Sequence, residues 1–435
     1  MENFQDYYGR LLTSNQLSDD EKLHASQLPT ILKAKKGNTC QRCASLIEKD
    51  WLLADGTSYC RNCILLGRIR SSEMLYNFPA QPFPKRDKSV LVWEGQLTPY
   101  QEEVSNGLVT GFREGKQLLV HAVTGAGKTE MTYQVIADCI NRGGQVCLAS
   151  PRIDVCKELY ERLNRDFDCK IVLLHGESED YQRAPLVIAT THQLLKFYHA
   201  FDLLLIDEVD AFPYVDNHML YHAVDQAIKP NASRIYMTAT STKMLSKKVE
   251  RKELELLHLA RRFHANPLVI PKFMENQNFP KAFTKGKLDS FFKKQFDLQR
   301  KTRFPLLIFF PNIERGEAFT KLLQTCYPEE KIGFVSSVTE NRAELVQQFR
   351  QEDLTILIST TILERGVTFP CVDVFVMEAQ HRLYTSSSLV QIAGRVGRAS
   401  QRPDGLVYFF HQGISRAMRR AVKEIKTMNQ KGGFE

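Results

Sequence analysis

The chain has 435 residues, 43% of them hydrophobic and 25% charged; at about 150 residues per domain that predicts two or three packed parts. This composition excludes a disordered tail, a collagen-like fibre and a disulfide-rich miniprotein. MENFQDYYGR at the start carries no apolar signal core, and no uninterrupted apolar run approaches membrane-spanning length, so the expected location is the cytosol.

Residues 1–38 are polar and weakly helical by pattern, with no legible chemistry. Residues 39–68 form a cysteine module. Residues 69–92, with three prolines between 79 and 84, read as an extended linker. From about 93 short apolar runs alternate with amphipathic helices, the pattern of a parallel sheet with crossovers. One such α/β unit is expected over 93–245 and a second over 246–435. Strands are expected at Leu118–Ala122, Gln145–Ala149, Leu203–Ile206, Arg234–Met237, Leu306–Phe310, Thr355–Ser359, Val372–Met377 and Leu406–Phe410. Helices are expected over Lys128–Ile140, Glu340–Phe349 and Ser386–Arg395, with a basic terminal helix. The paired Phe309–Phe310 and Phe409–Phe410 belong to strand cores, and His121, His175 and His411 are packed side chains.

The net charge is +8, yet residues 241–303 alone hold 16 Lys or Arg against 6 Asp or Glu. SRAMRRAVKEIKTMNQK near the C-terminus adds six basic residues against one acid. Either run alone is a solvated face; together they point to a polyanionic partner.

Ten cysteines fall into two classes. Cys40, Cys43, Cys60 and Cys63 form two C-x2-C pairs 16 residues apart. Four thiolates in two knuckles suit tetrahedral Zn²⁺, with no open position for catalysis. An Asp55–Gly56 turn between them suits a hairpin that closes the site. A redox dithiol or four unconnected cysteines are the rival readings. Arg42, Arg61, Arg68 and Arg70 permit the module to touch DNA without requiring it. The remaining six (Cys139, Cys147, Cys156, Cys169, Cys326, Cys371) read as small core residues.

AVTGAGKT, from Ala122 to Thr129, follows a strand and opens a helix, as a phosphate-binding loop requires. Thr124, Gly125, Ala126 and Gly127 let backbone N–H groups curl around a phosphate, with Glu130 just beyond. Lys128 reaches the β/γ-phosphates and the Thr129 hydroxyl ligates Mg²⁺. The first glycine of the usual pattern is Ala122 here, and a Gly-rich turn before a core helix is the bland alternative. LLLIDEVD follows, its Asp207 lying 79 residues after Lys128. Asp207 holds the hydrated Mg²⁺ and Glu208 deprotonates the attacking water in this reading. In QIAGRVGRAS, Gln391, Arg395 and Arg398 fall on a helix-sized segment whose glycines permit close approach to another surface. An arginine brought to the developing charge contributes several kcal/mol to phosphoryl transfer.

The order LTPYQ, AVTGAGKT, SPR, TTHQLL, DEVD, TAT, STTILERG, QIAGRVGR resembles the superfamily 2 helicases of the DEAD-like type. With the four-cysteine module in front, the chain is similar to the ComFA family of late competence proteins. The resemblance implies tandem RecA-like P-loop domains with parallel sheets, an α/β fold, plus a small N-terminal zinc module. It implies an ATPase using ATP, Mg²⁺ and Zn²⁺ that translocates on single-stranded DNA during natural transformation. It gives Gln101 to adenine, and it makes Asp210, Thr238 and Thr240 the coupling residues. Ser150, Arg152, Thr190, Thr191, Thr360 and Thr361 become contacts to the nucleic-acid backbone. Thr368 departs from the family's usual Asp, which puts the ribose contact in doubt. A phosphoribosyltransferase-like partner, the membrane DNA-import machinery at the inner face of the membrane, and a homo-oligomer belong to the same expectation. An RNA or replication-restart-type helicase, and a zinc-dependent nucleic-acid-binding protein with a nucleotide switch, are the alternatives.

Overall fold

The computed structural model of the chain describes residues 4–33, 37–240 and 242–434. Residues up to His121 together with Lys128–His258 form one compact unit, and Ala122–Gly127 together with the chain from Leu259 onward form another.

The first unit begins with a three-stranded antiparallel sheet ordered β1 (Leu11–Thr13), β5 (Met74–Asn77), β2 (Ser26–Pro29). A two-stranded pairing of β3 (Ile31–Leu32) with β4 (Thr39–Cys40) leads into the cysteines. The segment before residue 38 holds a short helix, Asp19–Leu23, together with strands. The stretch 69–92 is no linker, because Met74–Asn77 is the central strand of that sheet. Beyond it, Phe83 N–H donates to Gly143 O (2.8 Å) and Arg86 N–H to Asn141 O (2.9 Å). Prolines signal extended backbone, and extended backbone can pack as well as swing free. Arg10 fastens this part to the rest: it is buried, 4.7 Å from the Tyr181 ring centroid and 5.2 Å from that of Phe197.

The main sheet of this unit contains β6 (Leu118–Ala122), β7 (Val146–Ser150), β8 (Ile171–Leu174), β9 (Leu186–Thr190), β10 (Phe201–Ile206), β11 (Ile228–Thr238) and β12 (Glu255–Leu259). Their order is β12-β6-β11-β10-β7-β9-β8, and β6 through β11 pair in parallel. Helices cover both faces of such a sheet, which is why Leu203–Ile206 can be apolar at every position and wholly buried. The expected helix from Lys128 is two segments, Lys128–Met131 and Tyr133–Asn141. At the break the Thr132 hydroxyl donates to Thr129 O (2.7 Å), a local bond that competes with helical continuation.

The second unit carries β13 (Lys272–Glu275), β14 (Leu306–Phe309), β15 (Ile332–Val335), β16 (Ile356–Ser359), β17 (Asp373–Val376) and β18 (Val407–His411). They run parallel in the order β13-β18-β17-β14-β16-β15. Phe292, Phe296, Phe310, Phe319, Phe375 and Phe410 make its core. The expected boundary at 245 falls inside the helix Lys243–Glu250, which belongs to the first unit. The basic stretch also holds the helix Ser290–Arg300, whose lysines mask the periodicity of Phe292 and Phe296. At the end, the helix Arg416–Lys431 buries Met418, Ala421, Ile425 and Met428. It leaves Arg416, Arg419, Arg420, Lys423 and Lys426 exposed on its other face.

One buried ion pair pins the loop after residue 394. Arg402 Nη2 donates to Asp373 Oδ1 (2.6 Å), and Asp373 also accepts from Leu406 N–H (2.7 Å) and Gln299 Nε2 (2.9 Å). Asp373→Ala should leave a buried guanidinium uncompensated and destabilise the second unit by about 3–5 kcal/mol. Urea denaturation followed by probes in that unit checks this, and a wild-type midpoint would refute it.

Candidate nucleotide site and metal centre

Parallel pairing brings the C-terminal ends of β6, β11 and β10 side by side in the first unit. Asp207 and Glu208 follow β10 directly. Asp207 is buried, and its Oδ1 accepts from Glu208 N–H (2.8 Å). Glu208 has φ +53, a left-handed backbone that a non-glycine residue adopts only when its surroundings impose it. Asp210 is tied to the end of β11: Thr238 Oγ1 donates to Asp210 Oδ1 (2.9 Å) and Thr240 Oγ1 donates to Asp210 Oδ2. Thr240 N–H also donates to Thr238 Oγ1 (3.1 Å). All three residues are buried, and the network links two strand ends directly.

A cavity of about 550 Å³ lies in the same unit, lined by Trp93, Leu97, Glu102, Glu130, Tyr133 and Gln134 among others. Trp93 meets Tyr133 edge to face at 5.4 Å. A Cβ at Gly95 would come within 2.3 Å of the Trp93 ring, so glycine is what lets the indole fold over. Gln101 is buried at the start of the helix Pro99–Arg113, and its carboxamide oxygen accepts from Thr98 N–H (2.8 Å) and Thr98 Oγ1 (3.1 Å) as a capping box. Trp93 and Tyr133 were missed in the sequence, where single aromatics in a loop and a helix carry no periodic signal.

The phosphate-loop residues Ala122–Gly127 group with the second unit. Gly125 (φ +79) and Gly127 (φ +71) have the left-handed backbone that curls N–H groups inward, while Thr124 and Ala126 are buried. Such a loop fits a phosphate. Lys128, Thr129 and Glu130 open the following helix in the first unit, where Glu130 pairs with Arg162 (3.1 Å).

Within the second unit the helix expected to reach Arg395 ends at Ala393, with Gly394 as its cap. A Cβ on Gly394 would lie 2.1 Å from Thr124 Oγ1, so this contact admits only glycine. Gln391 and Arg395 are buried. Arg398 Nε donates to Gly394 O (2.9 Å), and its Nη1 reaches Thr368 Oγ1 (3.5 Å), at the position where an Asp was expected. Sequence reasoning also missed Arg262. It is buried, donates to Val396 O (2.7 Å) and Gly397 O (2.6 Å), and an added Cβ at Gly125 would sit 3.9 Å from Cγ of both Arg262 and Arg398. Burial, and then the Arg398 charge, pull Arg262 down to about 9. Cations gathered around a phosphate loop favour an anion there.

The expected nucleic-acid contacts divide. Arg152, Thr190, Thr360 and Thr361 are part-exposed at strand ends of their units. Ser150 and Thr191 are fully buried and present no hydroxyl to a backbone in this conformation.

The four paired cysteines converge. Their Sγ atoms all lie within 4.8 Å of one another, with Cys43–Cys60 at 3.4 Å and Cys40–Cys63 at 3.9 Å. Four thiolates 2.3 Å from one Zn²⁺ would sit roughly 3.8 Å apart in a tetrahedron, so the set fits zinc and none of the four is joined in a disulfide. Hydrogen bonds from within the cluster, Cys40 first, hold the Cys43 and Cys63 thiols low, while Cys43 drives Cys40 up. The expected turn is present: Gly56 has φ +79 and Leu53 N–H donates to Thr57 O (2.7 Å). Of the four arginines that would let the module touch DNA, Arg42 is buried and Arg61 is paired with Asp50 (3.0 Å). The cysteines share one core with Leu194, Phe197, Leu220 and Val224 of the sheet domain, and His222 Nε2 lies 3.2 Å from Gln41 O. Among the described residues, no helix is long and apolar enough to cross a membrane.

Residues 98–247 match the DEAD/DEAH box helicase family, and residues 287–400 match the helicase conserved C-terminal domain. The competence protein ComFA of Streptococcus pneumoniae (strain ATCC BAA-255 / R6) is 60% identical, covering 99% of this chain and 99% of that protein. The competence protein ComFA of Bacillus subtilis (strain 168) is 37% identical, covering 91% of this chain and 86% of that one. A solved structure of Mycobacterium smegmatis helicase Lhr bound to ssDNA and AMP-PNP superposes with a TM-score of 0.55 at 18% identity, over 78% of this chain and 51% of that one. Dbp5 of S. cerevisiae, bound to RNA and ADP BeF3, superposes with 0.54 at 14% identity, over 76% and 91%. At such identities the likeness concerns the fold, and it makes the two parallel-sheet units RecA-like.

Because the cysteines are part of the first unit's core, stripping metal from the full chain with a chelator should lower the melting temperature of that unit by several degrees. Re-adding Zn²⁺ should restore it. An identical melt with and without metal, or far less than one zinc per intact chain, would refute the metal centre.

Proposed function

The chain belongs to the ComFA family of competence proteins, and from that membership we propose an ATP-driven motor that moves along single-stranded DNA during uptake. The coarser part, a helicase-type ATPase of the competence system, is what the family and its two helicase domains establish. One observation carries the finer part: the buried Asp210–Thr238–Thr240 network couples the loop bearing Asp207 and Glu208 to a neighbouring strand end. A simple nucleotide-binding switch has no need of that link.

Bound Mg-ATP supplies the phosphoryl group and the charge neutralisation. In this reading the chain's own residues do the rest. The amides of Gly125 to Gly127 and the Lys128 ammonium hold the phosphates, and Thr129 and Asp207 hold the metal. Glu208 orients a water and takes its proton. Arg395 and Arg398 stabilise the charge that develops on the transferring group, and Gln391 positions the attack. The cavity walled by Trp93 and Tyr133 has the size and the aromatic wall for a purine. A shift of domain closure from 1:99 to 99:1 needs about 5.5 kcal/mol of differential affinity, within the reach of a phosphate group gripped by two arginines.

For DNA, the reading uses the part-exposed Arg152, Thr190, Thr360 and Thr361, with Ser150 and Thr191 shaping the backbone behind them. The exposed basic face of the terminal helix adds charge for a phosphate backbone. The phosphoribosyltransferase-like partner and the import machinery at the inner face of the membrane belong to the same proposal.

Two measurements test it. Nucleotide turnover should rise with single-stranded DNA more than with a matched RNA, vanish in Lys128→Ala, and fall roughly 10²- to 10³-fold in Arg398→Ala with little change in nucleotide affinity. Turnover indifferent to DNA, or stimulated by RNA alone, would overturn the motor reading. Replacing Arg416, Arg419 and Arg420 by Gln should flatten the slope of log affinity against log salt by about 2. An unchanged slope means that this face meets only solvent.

A further inference from the structure

Arg42 stands between the first two cysteines of the module, in Cys40-Gln41-Arg42-Cys43, yet its side chain is among the most buried in the protein, at 1% exposure. It reaches across to the opposite knuckle. Nε donates to Cys63 Sγ (3.4 Å), Nη1 donates to Leu66 O (3.1 Å), and Nη2 donates to Cys63 O (3.1 Å) and to Gly67 O. Gly67 has φ +102, and a Cβ added there would lie 3.8 Å from Arg42 Nη1. A planar fork thus closes the turn that carries Cys60 and Cys63. None of these partners is a carboxylate.

A guanidinium is a permanent cation, and one buried without an anion is costly by several kcal/mol. Four thiolates around one divalent cation carry a net charge of 2 − 4 = −2, which is equally costly when buried. Each charge is what the other lacks. With neutral thiols, as in a resting redox dithiol, Arg42 would be left uncompensated in a dry core.

We infer that Arg42 is an integral part of the metal centre: it neutralises half the charge of the tetrathiolate and clamps the Cys60–Gly67 turn, so that the metal is retained. The inference rests on the cluster being a zinc site and goes beyond it by naming a residue that ligates nothing. A lysine would keep the charge but not the fork. Its single nitrogen cannot serve Cys63 Sγ and the three carbonyls together.

The test uses the full chain as wild type, Arg42→Lys and Arg42→Met. Zinc-loaded protein is mixed with a chromophoric chelator and metal release is followed. The methionine variant should release zinc some 10- to 100-fold more readily than wild type, the usual scale for losing an outer partner of a ligand. The lysine variant should fall between the two. After loading with Co²⁺, the sulfur-to-metal charge-transfer band of Arg42→Met should move to lower energy at unchanged intensity, because a hydrogen bond to Cys63 Sγ is lost while four thiolates remain. Wild-type release and a wild-type band in Arg42→Met would overturn the inference. If that variant is recovered only unfolded, Arg42→Lys decides, and wild-type retention there would overturn it. Wild-type protein that holds no zinc at all is a different result, since it removes the metal centre itself.

Discussion

Three adjacent parallel strands, β6, β11 and β10, set where the chemistry of the first unit can occur. Their register pairs Thr238 with His121 and Ile206 with Tyr236, so the acid pair after β10 and the threonines that end and follow β11 emerge at one end of the sheet. Both faces of these strands are covered, so Leu203–Ile206 is apolar at every position and buried. That apolar content drives the sheet into the core. The ladder between β10 and β11, and the bonds from Thr238 and Thr240 to Asp210, hold the strand ends together.

The second unit obeys a different constraint, close approach. Gly394 is a glycine because Thr124 occupies the space a side chain would need. Arg262 holds the carbonyls of Val396 and Gly397, and the Asp373–Arg402 pair holds the chain a few residues further on. Arg398 thereby lies between two anchors, and Arg395 directly precedes the first. The anchors thus order the segment that carries the two arginines.

The N-terminal region is constrained by electrostatics and by the lack of a core of its own. Its cysteines share the apolar core of the sheet domain, and Arg42 turns inward to meet them. A module built this way belongs to the structure of the ATPase domain. In residues 39–68 only Lys49, Arg61 and Arg68 are exposed cations, whereas the terminal helix exposes six basic residues.

Much of this was legible in the sequence, and the reason is locality. AVTGAGKT, DEVD, QIAGRVGR and each C-x2-C pair are short runs of fixed residue types, so spacing alone displays them. Alternating apolar runs and amphipathic helices announced two α/β units in the same way. What escaped is what depends on distant segments. Residues 69–92 look extended whether or not a partner strand waits for them, and only β1 and β2 make Met74–Asn77 the centre of a sheet. Ser150 and Thr191 have the right residue types for a backbone contact, but burial is decided by what packs over them. Arg42, Trp93 and Arg262 lie outside every periodic pattern. Their surroundings come from partners far along the chain or from a turn beside the cysteine cluster, and only the folded arrangement brings those together.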